Sequence, residues 1–113
     1  LYLWNLLRSD GGDLSPQEAV NLINRENGIV VDVRDSMAFR DAHLIGARNI
    51  PVAQLESRLA DLEKFKSSPI VVCGSGKDAD SAIKLLRKQG FERAVGLNGG
   101  LKAWLDAGFP VES

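Results

Sequence analysis

Short apolar runs alternate with longer amphipathic stretches along most of the chain. The runs IVVDV, PIVVC and RAVGL are rich in β-branched residues, which is typical of short strands buried on both faces of a parallel sheet. ARNIP predicts one more brief extended segment, which stops at Pro51. Because parallel strands need crossover connections, the pattern predicts an α/β fold with a small parallel sheet flanked by helices on both faces.

The stretches between the strands have helical spacing and helix boundary signals. Ser15, Pro16 and Glu18 predict the first helix, because they suit the N-cap, the first helical position and the capping box. Asn27-Gly28 predicts its end. The other helices are expected in SMAFRDAHL, VAQLESRLADLEKF, DADSAIKLLRKQG and the segment through Trp104. Together these elements predict one compact domain over residues 13–113.

The first twelve residues, LYLWNLLRSDGG, differ from the rest of the chain. Their apolar part is too short to span a bilayer, which takes about 20 residues. Two interpretations stay open for this N-terminal arm. It either packs on the domain, or it is the end of a truncated membrane anchor, with Tyr2 and Trp4 as interfacial aromatics and Arg8 as the flanking charge. In the second case, a segment upstream of residue 1 tethers a cytoplasmic domain to the inner face of a membrane.

The composition restricts the classes of function. The 113 residues carry 14 Lys and Arg against 15 Asp and Glu, so the formal net charge of -1 predicts no basic surface for nucleic acid. One cysteine and one histidine can supply neither an internal disulfide nor a cluster of metal ligands. We therefore expect a protein of a reducing, cytoplasmic compartment, with no metal, no cofactor and no nucleic-acid partner.

Cys73 is the only cysteine, and it stands where an apolar strand meets a glycine-rich turn. In open parallel sheets, ligands bind at this carboxyl end of the strands. Gly74 and Gly76 allow backbone N–H groups to converge on an anion, and Lys77 at the start of a helix adds positive charge. These features lower the pKa of a thiol and favour the thiolate, whereas Asp78 opposes them unless it faces away as the helix N-cap. A reactive thiol and an inert buried cysteine both remain open at this point.

Three other motifs compete for the turn. A phosphate-binding P-loop fails, because Val71 stands where its first glycine belongs and Asp78 replaces its hydroxyl residue. A cysteine phosphatase loop fails, because Ala79 occupies the position of its phosphate-binding arginine. Gly74, Gly76 and Ala79 match a dinucleotide fingerprint, but the domain is small and no acidic residue ends the next strand to bind a ribose. That match is retained as an alternative.

Four segments, in order, resemble the motifs of the rhodanese family. They read VVDVRD, FRDAHLIGARNIP, VVCGSGKDADSA and GFERAVGLNGGLKAWLDAGFPV, and the resemblance as a whole covers the chain from Leu14 to Val111. The resemblance implies a rhodanese-like fold and a sulfur-transfer activity. In that reaction a loop cysteine takes a sulfane sulfur from a donor, becomes a persulfide, and passes the sulfur to an acceptor.

By this resemblance, Cys73 is the catalytic residue that forms the persulfide. The backbone N–H groups of the following loop would bind the thiolate or persulfide anion, and Lys77 would attract anionic donors. The loop residues are Gly74, Ser75, Gly76, Lys77 and Asp78. The expected partners are a small donor, thiosulfate or a persulfide, and an external thiol, cyanide or protein acceptor, since the chain has no second cysteine to take the sulfur.

Asp78 departs from the family pattern, which often has arginine, threonine or serine at this position. A negative charge there disfavours thiosulfate and favours a persulfide or a protein-bound donor. It also keeps a second class of function open, a non-catalytic rhodanese-like module that binds a partner or carries sulfur.

Two more polar residues are expected near this end of the sheet. Arg34 follows the first strand, where it either binds a donor anion or forms an ion pair with a nearby carboxylate. The nearby carboxylates are Asp32, Asp35 and Asp41. His43 is the only histidine, and in this motif it is expected to hold its loop by hydrogen bonds rather than to catalyse.

Overall fold

The computed structural model describes residues 13–113, which form two sheets. The larger sheet has four parallel strands in the order β3-β1-β4-β5, and the smaller one pairs β2 with β6 in antiparallel fashion. In chain order the elements are α1 (Pro16–Glu26), β1 (Ile29–Asp32), α2 (Ser36–Asp41), β2 (His43–Leu44), β3 (Arg48–Asn49), two 3₁₀ segments (Val52–Gln54 and Glu56–Phe65), β4 (Ile70–Cys73), α3 (Gly76–Lys88), β5 (Ala94–Gly96), α4 (Gly100–Asp106) and β6 (Val111–Glu112). This arrangement confirms the predicted α/β fold.

Alternating side chains of the central strands enter two apolar cores, one on each face of the larger sheet. On the side of α3 and the 3₁₀ segments, the buried strand residues are Val31, Ile70, Val72 and Ala94. On the side of α1 and α4 they are Val30, Val71, Cys73 and Val95. Because both faces of the sheet are covered, its strands are apolar without polar alternation.

Helix α1 begins and ends as its boundary signals predict. The Ser15 hydroxyl accepts a hydrogen bond from the Glu18 N–H at 3.1 Å, and the Glu18 carboxylate accepts one from the Ser15 N–H at 2.9 Å. Asn27 has φ 58°, a left-handed conformation that ends the helix. Just before α1, Leu14 pairs with Leu97 beyond the end of β5, which ties the entry of the chain to the edge of the sheet.

Two stretches predicted as α-helix fold differently. In the first, α2 stops before His43 and Leu44, which pair with β6 instead. No local pattern reveals this pairing, because the partner strand lies at the far end of the chain. In the second, 3₁₀ turns with a break at Arg58 (φ −116°) replace an α-helix. Leu55 and Leu62 are nevertheless buried, as their spacing predicts.

Within residues 13–113, no helix has both the length and the hydropathy that crossing a membrane requires. The N-terminal arm or anchor end predicted for residues 1–12 lies outside the described residues. The anchor hypothesis therefore gains no support from the fold.

Candidate active site

Cys73 ends β4, one of the two central strands of the parallel sheet. Its register partner on β1 is Asp32, so the two side chains leave the same face of the sheet side by side. Cys73 is 0% exposed, and its carbonyl accepts a hydrogen bond from the Val33 N–H at 2.9 Å. The strand ladder therefore fixes the position of the thiol.

Helix α3 begins inside the glycine-rich turn, earlier than the sequence predicts. Ser75 is the N-cap residue and Gly76 the first helical residue, and the Ala79 N–H donates to the Ser75 carbonyl at 2.8 Å. Asp78 lies in the first turn of α3, so the N-cap position that the sequence left open for it is occupied by Ser75 instead. Ser75 has the extended backbone of an N-cap residue, but its side chain accepts no hydrogen bond from the first turn of α3.

The backbone N–H groups from Gly74 to Asp78 donate no hydrogen bond to any acceptor within residues 13–113. Three of them belong to the first turn of α3, whose N–H groups have no intrahelical acceptor. Together with the positive end of the helix dipole, they are free to bind an anion near Cys73. The side chains of Lys77 and Asp78 are exposed, and neither forms an ion pair with another of the described residues 13–113.

Glycines bring the loop close to its neighbours. A Cβ on Gly74 would lie 2.7 Å from Cγ2 of Val33, so the loop rests directly on the segment after β1. On the other side, a Cβ on Gly100 would lie 3.4 Å from the Gly74 carbonyl oxygen. A cavity of about 260 Å³ is lined by the loop and the Gly99-Gly100 turn, whereas Cys73 is not among its lining residues. The cavity therefore lies beside Gly74, the residue that directly follows Cys73.

Next to Cys73, the buried Asp32 forms an ion pair with the partly exposed Arg34. Arg34 Nε donates to both Asp32 carboxylate oxygens at 2.9 and 3.1 Å, and Nη2 donates to Oδ2 at 2.7 Å. Nη2 also donates to the Ala42 carbonyl at 2.7 Å. Asp35, another predicted partner, instead caps α2 by accepting a hydrogen bond from the Ala38 N–H at 2.8 Å. Of the two predicted roles for Arg34, the ion pair is therefore present.

The environment of Cys73 opposes ionisation of the thiol. Burial, and after it the Asp32 carboxylate, raise the pKa of Cys73 from 9.0 to about 11, while Arg34 lowers it. The sequence left the net shift of this pKa open, and the direction found is opposite to the lowering expected from the glycine turn, the helix start and Lys77 alone. The prediction took account of the charges in the loop, but not of the desolvation that follows from full burial on the sheet. The resting thiol is therefore protonated at neutral pH.

His43 has a structural environment, as predicted. Its ring stacks on Phe39 with centroids 3.6 Å apart, and its Nδ1 donates to the Phe39 carbonyl at 2.6 Å. Nε2 lies 3.5 Å from a carboxylate oxygen of Glu112 on β6. These contacts hold the connection between α2 and β3 against the C-terminal strand.

Sequence reasoning named Asp32 as one possible partner of Arg34, but not as the neighbour of Cys73 in the sheet. A signal was available, because Ile29–Asp32 reads IVVD and Ile70–Cys73 reads IVVC, two four-residue runs that differ only at the last position. In the sheet these runs pair residue for residue. Within residues 13–113, no group of His, Cys, Asp and Glu side chains is placed to hold a metal ion.

The fold and this site together define a class of protein. It is a small parallel α/β domain in which a central strand ends at a cysteine, followed by a loop whose backbone N–H groups have no acceptor among residues 13–113. The chain belongs to the rhodanese family, since the sequence model of the Rhodanese-like domain matches residues 15–107. The membership confirms the resemblance seen in the sequence and replaces the dinucleotide-binding alternative.

Individual relatives agree with this membership. The chain is 34% identical over 102 residues to thiosulfate sulfurtransferase GlpE of Pseudomonas putida, covering 88% of this chain and 89% of that protein. It is 37% identical over 95 residues to adenylyltransferase and sulfurtransferase MOCS3-2 of Zea mays, covering 76% of this chain and 20% of that protein. The crystal structure of the Alr3790 protein from Anabaena sp. matches with a TM-score of 0.78 and 33% identity, over 88% of this chain and 81% of that one.

Proposed function

We propose that this protein is a sulfurtransferase that moves a sulfane sulfur from a donor to an acceptor through a persulfide on Cys73. The observation that carries the proposal is the position of the single cysteine at the end of β4, followed directly by the open N–H groups of residues 74–78. Relatives named as sulfurtransferases support the reaction class. We assign the activity to the domain formed by residues 13–113.

In the first step, the Cys73 thiol loses its proton to solvent and the thiolate attacks the outer sulfur of the donor. A bond forms between Sγ and that sulfur, and the S–S bond of the donor breaks. The electron pair leaves with the rest of the donor, as sulfite from thiosulfate or as a thiolate from a persulfide. The N–H groups of residues 74–78 stabilise the new persulfide anion on Cys73.

In the second step, a nucleophilic acceptor attacks the terminal sulfur of the persulfide. The acceptor–sulfur bond forms, the S–S bond to Cys73 breaks, and the cysteine thiolate is regenerated. A thiol becomes a persulfide and cyanide becomes thiocyanate, so neither an oxidant nor a reductant is consumed. Because the chain has one cysteine, the acceptor is a separate molecule, either a small nucleophile or a protein.

Two exposed charges affect which donor the site prefers, thiosulfate or a persulfide. Lys77 and Asp78 follow each other at the start of α3. Thiosulfate carries two negative charges, so Asp78 repels it and offsets the attraction of Lys77. A persulfide group carries at most one negative charge and is repelled less than thiosulfate, so we propose a low-molecular-weight or protein-bound persulfide as the better donor.

A second candidate function comes from a different class, a rhodanese-like module that binds a partner or carries sulfur without turning over small donors. Two observations favour it. Cys73 is wholly buried, and its pKa is raised to about 11, so few molecules carry a thiolate at neutral pH.

Intact mass spectrometry tests the proposal and separates the two candidates. The protein is incubated with thiosulfate, and separately with a low-molecular-weight persulfide, beside a Cys73→Ser variant. We expect one added sulfur on the wild type alone, and its loss when cyanide is added. An Asp78→Asn variant should load faster from thiosulfate, with persulfide loading as the internal control. Absence of added sulfur with both donors would favour the binding module, and sulfur on Cys73→Ser would refute the role of Cys73.

A further inference from the structure

The ion pair beside Cys73 has no part in the sulfur-transfer steps above. We propose that Arg34 is a positioning residue that holds Asp32 and neutralises its carboxylate, so that the neighbouring Cys73 can form a thiolate. The inference rests on the proposed function in one respect only, that the thiolate is the nucleophile.

The strand ladder forces the carboxylate and the thiol together. Asp32 and Cys73 are register partners, so the backbones of β1 and β4 fix the spacing of the two side chains. Asp32 is 0% exposed, and an ionised carboxylate without water needs a paired charge and hydrogen bonds. Arg34 supplies both, through Nε and Nη2 to the two carboxylate oxygens. Without this cation, a thiolate would form beside a bare buried anion.

Arg34 is itself fixed in this role. Its Nη2 also donates to the Ala42 carbonyl, and its backbone N–H donates to Oδ1 of Asp32 at 3.0 Å. To bind a donor anion with the same guanidinium nitrogens, Arg34 would have to leave Asp32 unpaired next to Cys73. The observed contacts therefore favour neutralisation of Asp32 over the donor-binding role that the sequence left open for Arg34.

The other charged groups on the elements around the thiol cannot replace Arg34. They are Asp13 before α1, Glu18, Arg25 and Glu26 on α1, Asp35 after β1, Lys77 and Asp78 in the loop, and Lys102 and Asp106 on α4, all of which are exposed. The remaining titratable group is His43 on β2, whose Nε2 faces Glu112 on β6. Water and salt weaken the effect of exposed charges on a buried group. Strand β5 carries no titratable side chain. Asp32 and Arg34 are also the charged residues whose electrostatic interaction with Cys73 shifts its pKa.

The test follows ionisation of the thiol directly. With one cysteine in the chain, ¹³C-labelled cysteine gives a single side-chain NMR signal, which is followed from neutral to alkaline pH without any sulfur donor. We expect Arg34→Gln to lower the thiolate fraction at a given pH about tenfold, and Asp32→Asn to raise it by a similar factor. The double variant should return close to the wild type, and Arg34→Lys should resemble the wild type more than Arg34→Gln.

The directions in which the two single variants shift the titration of Cys73 distinguish neutralisation of Asp32 from a purely structural role of the ion pair. If the pair only stabilised the fold, both single variants would loosen the site and shift the titration in the same direction, and the double variant would not recover. That outcome would overturn the proposal. If Arg34→Gln does not fold, Asp32→Asn is a sufficient test by itself. A titration midpoint of Cys73 in Asp32→Asn that is equal to or higher than that of the wild type refutes the inference. Sulfur loading is measured separately, so failure of the proposed function and failure of this inference are independent results.

Discussion

Gly74 offers a sharp test of how the loop is held over the sheet. The residue has no positive φ, so an alanine there meets no backbone strain. Its Cβ would, however, lie 2.7 Å from Cγ2 of Val33, a side chain that is 1% exposed and has no space to retreat. Gly74→Ala should therefore displace the loop or the strand segment beneath it.

The size of the effect follows from the distance. Apolar carbon atoms attract best at about 3.5–4.0 Å, so the clash requires a shift of roughly 1 Å in a packed region. Overpacking of this kind typically costs about 1–3 kcal/mol. With a urea dependence of about 1.5 kcal/mol per molar, the unfolding midpoint of Gly74→Ala should fall by roughly 0.7–2 M.

Gly76→Ala is the matched control. No atom lies within 4 Å of its Cβ position, and Gly76 also has no positive φ. The same chemical change there should leave stability unchanged or raise it by about 0.4–1 kcal/mol. Urea unfolding followed by circular dichroism gives both midpoints. Equal midpoints for the two variants would refute the reasoning.

A compensating change identifies Val33 as the cause. Val33→Ala removes the clashing methyl group and by itself should cost about 1–3 kcal/mol, because a buried side chain is truncated. In that background, Gly74→Ala should be nearly neutral, which gives a coupling of about 1 kcal/mol or more between the two positions. Simple additivity would show that the strain lies elsewhere in the loop.

Three further outcomes are expected. The pKa of Cys73 rises from 9.0 to about 11 on folding, so the thiol of the unfolded chain loses its proton first as the pH rises. Between those pH values the wild type should therefore lose stability relative to Cys73→Ala. An equal pH dependence of the urea midpoints of the two proteins would contradict this. His43→Asn should lower thermal stability through loss of the contacts to Phe39 and Glu112, yet still gain sulfur in the mass assay, and a stable variant that fails to load would give His43 a chemical role. Ser15→Ala should cost about 0.5–2 kcal/mol in urea unfolding because it removes the α1 cap, whereas exposed Ser81→Ala should change little.

The sequence predicts the parallel sheet well, because its signals are local. Runs such as IVVC are apolar throughout, and a strand buried on both faces needs nothing more. The cap of α1 is equally local, since Ser15 and Glu18 meet within one turn. By contrast, the strand at His43 and Leu44 depends on a partner at Val111–Glu112, and such non-local pairing leaves no trace in the short stretch itself.

The electrostatics of the site were harder to predict than its position. The end of an apolar strand before a glycine turn is enough to locate Cys73 at the sheet edge. The state of its thiol depends on full burial and on Asp32, which lies far away along the chain. Charges in the adjacent loop, Lys77 and Asp78, are visible in the sequence but lie exposed, so they say little about the buried sulfur.

The residue-for-residue pairing of β1 with β4 also bears on how the protein folds. The two strands are about 40 residues apart in the chain, so their association must close a long loop and is expected late in refolding. In the folded protein Cys73 is 0% exposed on this ladder, so we expect a bulky thiol-reactive label to modify it more slowly than in the unfolded chain. A pulse of a thiol-reactive label during refolding would therefore measure when the centre of the sheet assembles. Because the chain has one cysteine, Cys73 is the single reporter and no mutation is needed.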